Sequence, residues 1–194
     1  MSEIKAVIFD CFGVLVGDVL RMKAVELEHT HPEAAKQIHA ALRAGDRGII
    51  SSDEVASIVG DAIGVSAEEV RIMAREGEVK NTSLIAELPA IRKDYKLGML
   101  SNISGRAALD EHFGPGRLDV MFDTVVASGE VGLIKPEPEI FWIAAERLGL
   151  TPKQCVMIDD LDVNVDGARL AGMKAIKFET NKQVLADLHE LLGK

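Results

Sequence analysis

Short apolar runs, separated by stretches with apolar residues at helical spacing, set the rhythm of most of this chain. The runs are Ile4 to Phe9, Leu97 to Leu100, roughly Phe122 to Ala127, Cys155 to Ile158 and Lys174 to Phe178. Runs this short and unbroken are what strands buried on both faces of a parallel sheet require. Between them, Ile140 to Leu150 and Val163 to Ala171 carry apolar residues at the helical period. Strand–helix–strand alternation predicts an α/β domain of three layers with right-handed crossovers. The segment Asn181 to Leu192 predicts an amphipathic helix, with Val184, Leu185, Leu188, Leu191 and Leu192 on the face that covers the sheet.

Residues 16–82 break this rhythm. They hold no convincing strand, but Ser51-Ser52-Asp53-Glu54 and Ser66-Ala67-Glu68-Glu69 have capping-box spacing ahead of apolar-periodic segments. Gly45 to Gly48 reads as a break between two helices. The organisation expected is a core built from residues 1–15 and 83–194, with residues 16–82 inserted as an all-helical unit after the first strand. Such an insertion lies above the carboxyl ends of the strands, placed to close over a substrate.

Composition narrows the function. A net charge of −9 argues against a nonspecific nucleic-acid binder, and 4% aromatic residues argue against base-stacking surfaces. The longest apolar stretch, around residues 6–16, is interrupted by Asp10 and too short to span a bilayer, so no membrane partner is expected. No secretory signal is visible, and Cys11 and Cys155 lack Cys-x-x-Cys spacing. Both points fit a reducing, cytoplasmic setting.

The chemistry gathers where predicted strands end. Asp10 ends the first, Ser101-Asn102 follow the second, Lys135-Pro136 lie after the third, and Asp159-Asp160 follow the fourth. In a parallel sheet these ends share one rim, where open α/β folds bind their ligands. Three carboxylates in one small space must take up protons or hold a cation, and oxygen ligands suit Mg²⁺. Lys135 precedes Pro136-Glu137-Pro138-Glu139, which reads as a helix start. A cation before a helix amino terminus makes sense if both are aimed at an anion; the competing reading is a surface lysine bridged to Glu137 or Glu139.

With these motifs in this order, the chain resembles the haloacid dehalogenase (HAD) superfamily. The segments carrying the resemblance are Ile8-Phe9-Asp10, Leu100-Ser101-Asn102, Ile134-Lys135-Pro136 and Ile158-Asp159-Asp160, with Asn164, Gly167, Ala168 and Ala171-Gly172-Met173 extending the last. The resemblance implies a Rossmann-like core with a helical cap after the first motif. It is similar to the branch holding glucose-1-phosphate phosphatases and the amino-terminal domain of soluble epoxide hydrolases. By that likeness Asp10 is the nucleophile of an aspartyl-phosphate mechanism, and Ser101 and Lys135 bind the phosphoryl group. Asn102 orients or contacts substrate. Asp10, Asp159, Asp160 and the backbone carbonyl of Phe12 hold Mg²⁺. The substrate implied is a small phosphorylated metabolite, sugar phosphates among the candidates.

One position departs from the pattern. HAD phosphatases usually carry a second Asp two residues after the nucleophile, as proton donor and acceptor, and Phe12 stands there. Three readings fit: a phosphatase managing without that acid, a relative of the 2-haloacid dehalogenases, which place a Tyr at this position, or a silent binder that kept the fold. The acidic pair Asp159-Asp160 counts against the dehalogenase, which needs no metal. In the insertion, Arg43 and Arg47 flank Gly45; Arg47 is the candidate for a second anionic group of the substrate, a surface arginine the alternative. Cys11 is expected to be packed and inert, and His29, His31 and His39 match no metal spacing.

Overall fold

The computed structural model describes residues 3–193. Five strands form one all-parallel sheet in the order β3-β2-β1-β4-β5: β1 (Ala6–Phe9), β2 (Lys96–Ser101), β3 (Thr124–Ala127), β4 (Cys155–Asp159) and β5 (Lys174–Lys177). Each strand lies at or within two residues of its expected run. β4 extends one residue further than the apolar pattern indicates, so Asp159 still belongs to the ladder, with Lys177 beside it.

Four helices make the insertion: α1 (Val19–Leu27), α2 (Pro32–Asp46), α3 (Ser52–Ile63) and α4 (Ala67–Gly77). The core adds α5 (Thr82–Ile85), α6 (Leu88–Ile91), α7 (Arg106–Phe113), α8 (Arg117–Met121), α9 (Ser128–Val131), α10 (Pro138–Arg147), α11 (Asp162–Leu170) and α12 (Asn181–Leu192). Alternation of side chains along β1 divides the core. Val7 and Phe9 meet Leu109, Phe113, Val184 and Leu188 on one face, while Ala6 and Ile8 meet Ile140, Phe141, Ala144 and Ala168 on the other. The three layers expected of the chain are therefore present, and α12 covers the sheet.

The cap has its own small core of Ala24, Ile38, Ala56, Val59 and Val70. Both expected capping boxes form, Ser51 with Glu54 at α3 and Ser66 with Glu69 at α4. Gly45 behaves differently from expectation: α2 runs through it to Asp46, and the chain turns only at residues 47–51. A Cβ at Gly45 would lie 2.8 Å from Val55 Cγ2, so this glycine serves close packing of α2 on α3, not helix termination. Two adjacent segments join cap to core, with the Gly17 N–H donating to Val79 O at 3.0 Å and the Asn81 N–H to Leu15 O at 2.8 Å. Following these segments, α5 already packs Leu84 into the main core.

On the far side the cap touches the core again. Arg47 pairs with Glu137, and the Ser128 hydroxyl donates to the Asp46 carbonyl. Among the described residues no helix is long and apolar enough to cross a membrane.

Gly167 in α11 lies against the loop carrying Lys135: a Cβ there would sit 2.6 Å from Pro136 O and 2.7 Å from Pro136 Cβ. Alanine gains about 1 kcal/mol of helix propensity, but forcing the loop aside costs about 1–3 kcal/mol. Gly167→Ala is expected to lower the urea midpoint with an unchanged m-value; a raised midpoint would contradict this packing.

Candidate active site

The parallel register brings the strand ends together. Asp10 follows β1, its N–H donating to Ile158 O at 2.9 Å, so it sits between the ends of β2 and β4. Ser101 closes β2 and Asp159 closes β4. Lys135 arrives from the loop before α10, ahead of a cis Lys135–Pro136 peptide. That loop is tied to the β2 end by Asn102, whose Oδ1 accepts from the Lys135 N–H at 2.8 Å while its Nδ2 donates to Lys135 O at 3.1 Å. Asn102 therefore fixes the lysine's backbone and also lines the cavity above.

Lys135 Nζ lies 2.7 Å from Asp10 Oδ1 and 2.6 Å from Asp159 Oδ2, with all three side chains buried. The surface alternative for this lysine is thus not what the fold adopts. Glu137 instead accepts from the Ile134 N–H at 3.1 Å and pairs with Arg47.

The two neighbouring acids, Asp159 and Asp160, differ in surroundings. Asp159 is enclosed, accepting from Lys135, from the Leu161 N–H at 3.0 Å and from Asn164 Nδ2 at 2.9 Å. Burial pushes its carboxyl up, but these donors, Lys135 foremost, outweigh it and hold it below the usual range. Among the described residues no side chain donates to Asp160, which faces the cavity with its carboxylate lying over Gly13, whose φ of +83° and missing Cβ leave room for it. Burial and then Asp159 push Asp160 up to about 6. Asp10 is raised well above the usual carboxylate range by burial and by Asp159, against the pull of Lys135.

One ammonium is therefore set against three carboxylates, and the balance falls short. Asp10, Asp159 and Asp160 each offer an oxygen within 4.8 Å of the others. Asp10 Oδ1 is engaged by Lys135 and by the Cys11 N–H at 2.7 Å, which leaves Oδ2 open. No described backbone N–H donates to the Phe12 carbonyl. This donor set fits a small hard dication, which would supply the missing positive charge.

Among the described residues nothing hydrogen-bonds the buried Ser101 Oγ, an orphan that calls for an explanation. Cys11, beside the nucleophile candidate, is fully buried, and burial and the Asp10 charge raise its thiol well above normal, which makes it inert.

A cavity of about 650 Å³ opens above these residues, between core and cap. Phe12, Asn102 and Asp160 line it, as do cap residues Arg21, Arg71 and Arg75. Arg47 does not: it lies on a separate groove outside α2 and holds cap to core through Glu137. The arginines at the cavity escaped sequence reasoning because helical phase, not proximity to Gly45, decides which side chains face inward. Glu78, Glu111 and His112 were missed for a related reason. They come from the cap's return and from α7, and join the cavity only through tertiary packing.

Residues 4–172 match the haloacid dehalogenase-like hydrolase family. The chain belongs to that family. Among its relatives, fructose-1-phosphate phosphatase of Escherichia coli is 39% identical over 85 residues, 44% of this chain and 44% of the relative. Human N-acylneuraminate-9-phosphatase is 32% identical over 114 residues, 56% of this chain and 46% of the relative. The chain spans less than half the length of the curated relatives it matches. Among solved structures, a HAD enzyme from Bacteroides thetaiotaomicron in complex with magnesium and inorganic phosphate superposes with a TM-score of 0.70. It is 22% identical, over 92% of this chain and 96% of that one.

Removing the cation at the centre of this HAD site leaves two buried carboxylates facing each other. Lys135→Ala is expected to cost roughly 3–5 kcal/mol of folding stability at pH 8 without metal. The deficit should be smaller at pH 5, because lowering the pH favours the neutral form of Asp10, whose carboxyl burial and Asp159 already raise. Urea denaturation at the two pH values checks both; an unchanged midpoint would show that the triad carries no such charge.

Proposed function

We propose that this HAD protein is a Mg²⁺-dependent phosphatase of a small phosphorylated metabolite, working through an aspartyl phosphate on Asp10. The observation that carries the reading is the partnerless, buried Ser101 hydroxyl on the same rim as Lys135. A hydroxyl donor and an ammonium sharing a water-poor pocket recognise a tetrahedral oxyanion. The phosphatase relatives point to sugar phosphates as the substrate class.

Each residue then has a task. Lys135 spends two of its three N–H groups on Asp10 and Asp159, and the third binds a phosphoryl oxygen. Ser101 donates to another. The Cys11 N–H and Lys135 hold one oxygen of Asp10, so the carboxylate is oriented before substrate arrives. Asp10 attacks phosphorus in line with the ester oxygen, and water later cleaves the acyl phosphate. Asp10, Asp160 and the Phe12 carbonyl are the groups that would hold Mg²⁺, while Asp159, saturated by Lys135 and Asn164, orients the lysine and adds charge beside them. When bound, the ion neutralises the carboxylates and the incoming phosphate. Asn102 keeps Lys135 at its post.

The test is phosphate release from acetyl phosphate, glucose 1-phosphate and glucose 6-phosphate, with Mg²⁺ or with EDTA. Release that needs Mg²⁺ and disappears in Asp10→Asn is expected. Activity undiminished in Asp10→Asn would overturn the mechanism. Silence on all three, with chloride released from 2-chloropropionate, would establish the dehalogenase instead. Mg²⁺ at a hundred times its Kd should stabilise the wild type by about 2.7 kcal/mol in thermal melts and Asp160→Asn by far less.

A further inference from the structure

A departing alkoxide needs a proton, and Phe12 cannot supply one. Most carboxyl groups around the cavity are already committed. Asp18 and Asp46 hold Arg21, Asp53 holds Arg71, and Asp160 stands with the metal ligands. Glu111 is exposed.

Glu78 is different. Its side chain is 19% exposed, and it lines the cavity that Asp10, Ser101 and Lys135 share. It follows α4 where the chain returns from the cap. There the two crossing segments leave no room for a side chain at Gly77, since a Cβ would lie 2.5 Å from Val19 Cβ. The backbone carrying Glu78 is thereby fixed against the start of α1. Glu78 Oε2 lies 3.5 Å from His112 Nε2, and the His112 ring stands edge-on to Phe12, with centroids 5.2 Å apart at 84°. The ring that replaces the missing acid is thus in contact with the imidazole that backs this one.

We propose that Glu78 is the proton donor and acceptor of this site, reaching from the cap's return to the leaving-group oxygen. The proposal rests on the phosphatase reading. As Asp10 bonds to phosphorus, the bond from phosphorus to the ester oxygen breaks. That oxygen keeps the electron pair and takes the Glu78 proton, so an alcohol leaves. The Glu78 carboxylate then accepts a proton from the water that attacks the phosphoryl group, and the released Asp10 carboxylate and phosphate close the cycle with Glu78 protonated again.

The electrostatics agree. Burial, then Asp18 from the opposite segment and Glu111 from α7, push Glu78 up to about 7, so the acid form is populated near neutral pH. His112, also on α7, is lowered by burial, and of the cations Lys80 on Glu78's own segment acts on that imidazole.

The experiment compares kcat/KM of wild type and Glu78→Gln, with Mg²⁺, on glucose 6-phosphate and acetyl phosphate. An acyl leaving group needs little protonation, whereas a sugar alkoxide needs it fully. The expected result is a loss of about 10²-fold or more on glucose 6-phosphate, and a loss at least tenfold smaller on acetyl phosphate. In addition, the wild-type glucose 6-phosphate profile should fall as pH rises through about 7, a limb that Glu78→Gln lacks. Equal losses on both substrates, or none, would overturn the proposal. So would a wild type that turns over acetyl phosphate alone, which leaves the phosphatase reading standing. Wild-type silence on both overturns the two together.

Discussion

The buried ion triad of Lys135 with Asp10 and Asp159 is the constraint on which the rest of the molecule depends. Isolated, any of these charges costs several kcal/mol to take out of water, so each is tolerable only while the others stay in place. Their positions come from three distant parts of the chain. β1 delivers Asp10, β4 delivers Asp159, and the loop before α10 delivers Lys135, clamped by Asn102 at the end of β2. Two apolar layers, around Phe9 and around Ile8, keep the sheet dry enough for the charges to matter. Close packing of Gly167 on Pro136 keeps the lysine loop from drifting.

Around that triad the site divides its labour by hydrogen-bond saturation. Adjacent in sequence and alike in chemistry, Asp159 and Asp160 part company because strand geometry points one into a nest of donors and the other into the cavity. A saturated carboxylate holds a neighbour in place; an unsaturated one attracts what is missing. The same logic applies to Ser101, buried and partnerless, against Ser128, whose hydroxyl accepts from the Ile103 N–H at 2.8 Å and also donates to the cap. One lines the cavity unpartnered and the other ties segments of the fold together.

Much of this was legible in the chain. Short apolar runs ending in Asp10, Ser101 and the Asp159-Asp160 pair located the strands and the rim, because a strand buried on both faces has a sequence pattern that little else shares. Capping boxes located α3 and α4 for an equally local reason. What the pattern could not carry was orientation across the cap. Gly45 reads like a helix end until Val55 is seen packed against it, and Arg47 reads like a cavity residue until its partner Glu137 is seen. Arg75, Glu78 and His112 carry no signature at any spacing, since they meet the site only through the packing of one unit on another.

The strand order has a consequence for how the protein comes to be folded. β1 is made first, yet both its neighbours, β2 and β4, lie roughly 90 and 150 residues downstream by the register of Val7 with Leu97 and Val156. During synthesis the central strand must wait, unpaired and wholly apolar, while the contacts of the cap helices, mostly between successive elements, become available at once. Vectorial synthesis thus favours a chain in which the lid is assembled before the vessel it covers. Of the strands, β1 is flanked on both sides only once β4 has been made.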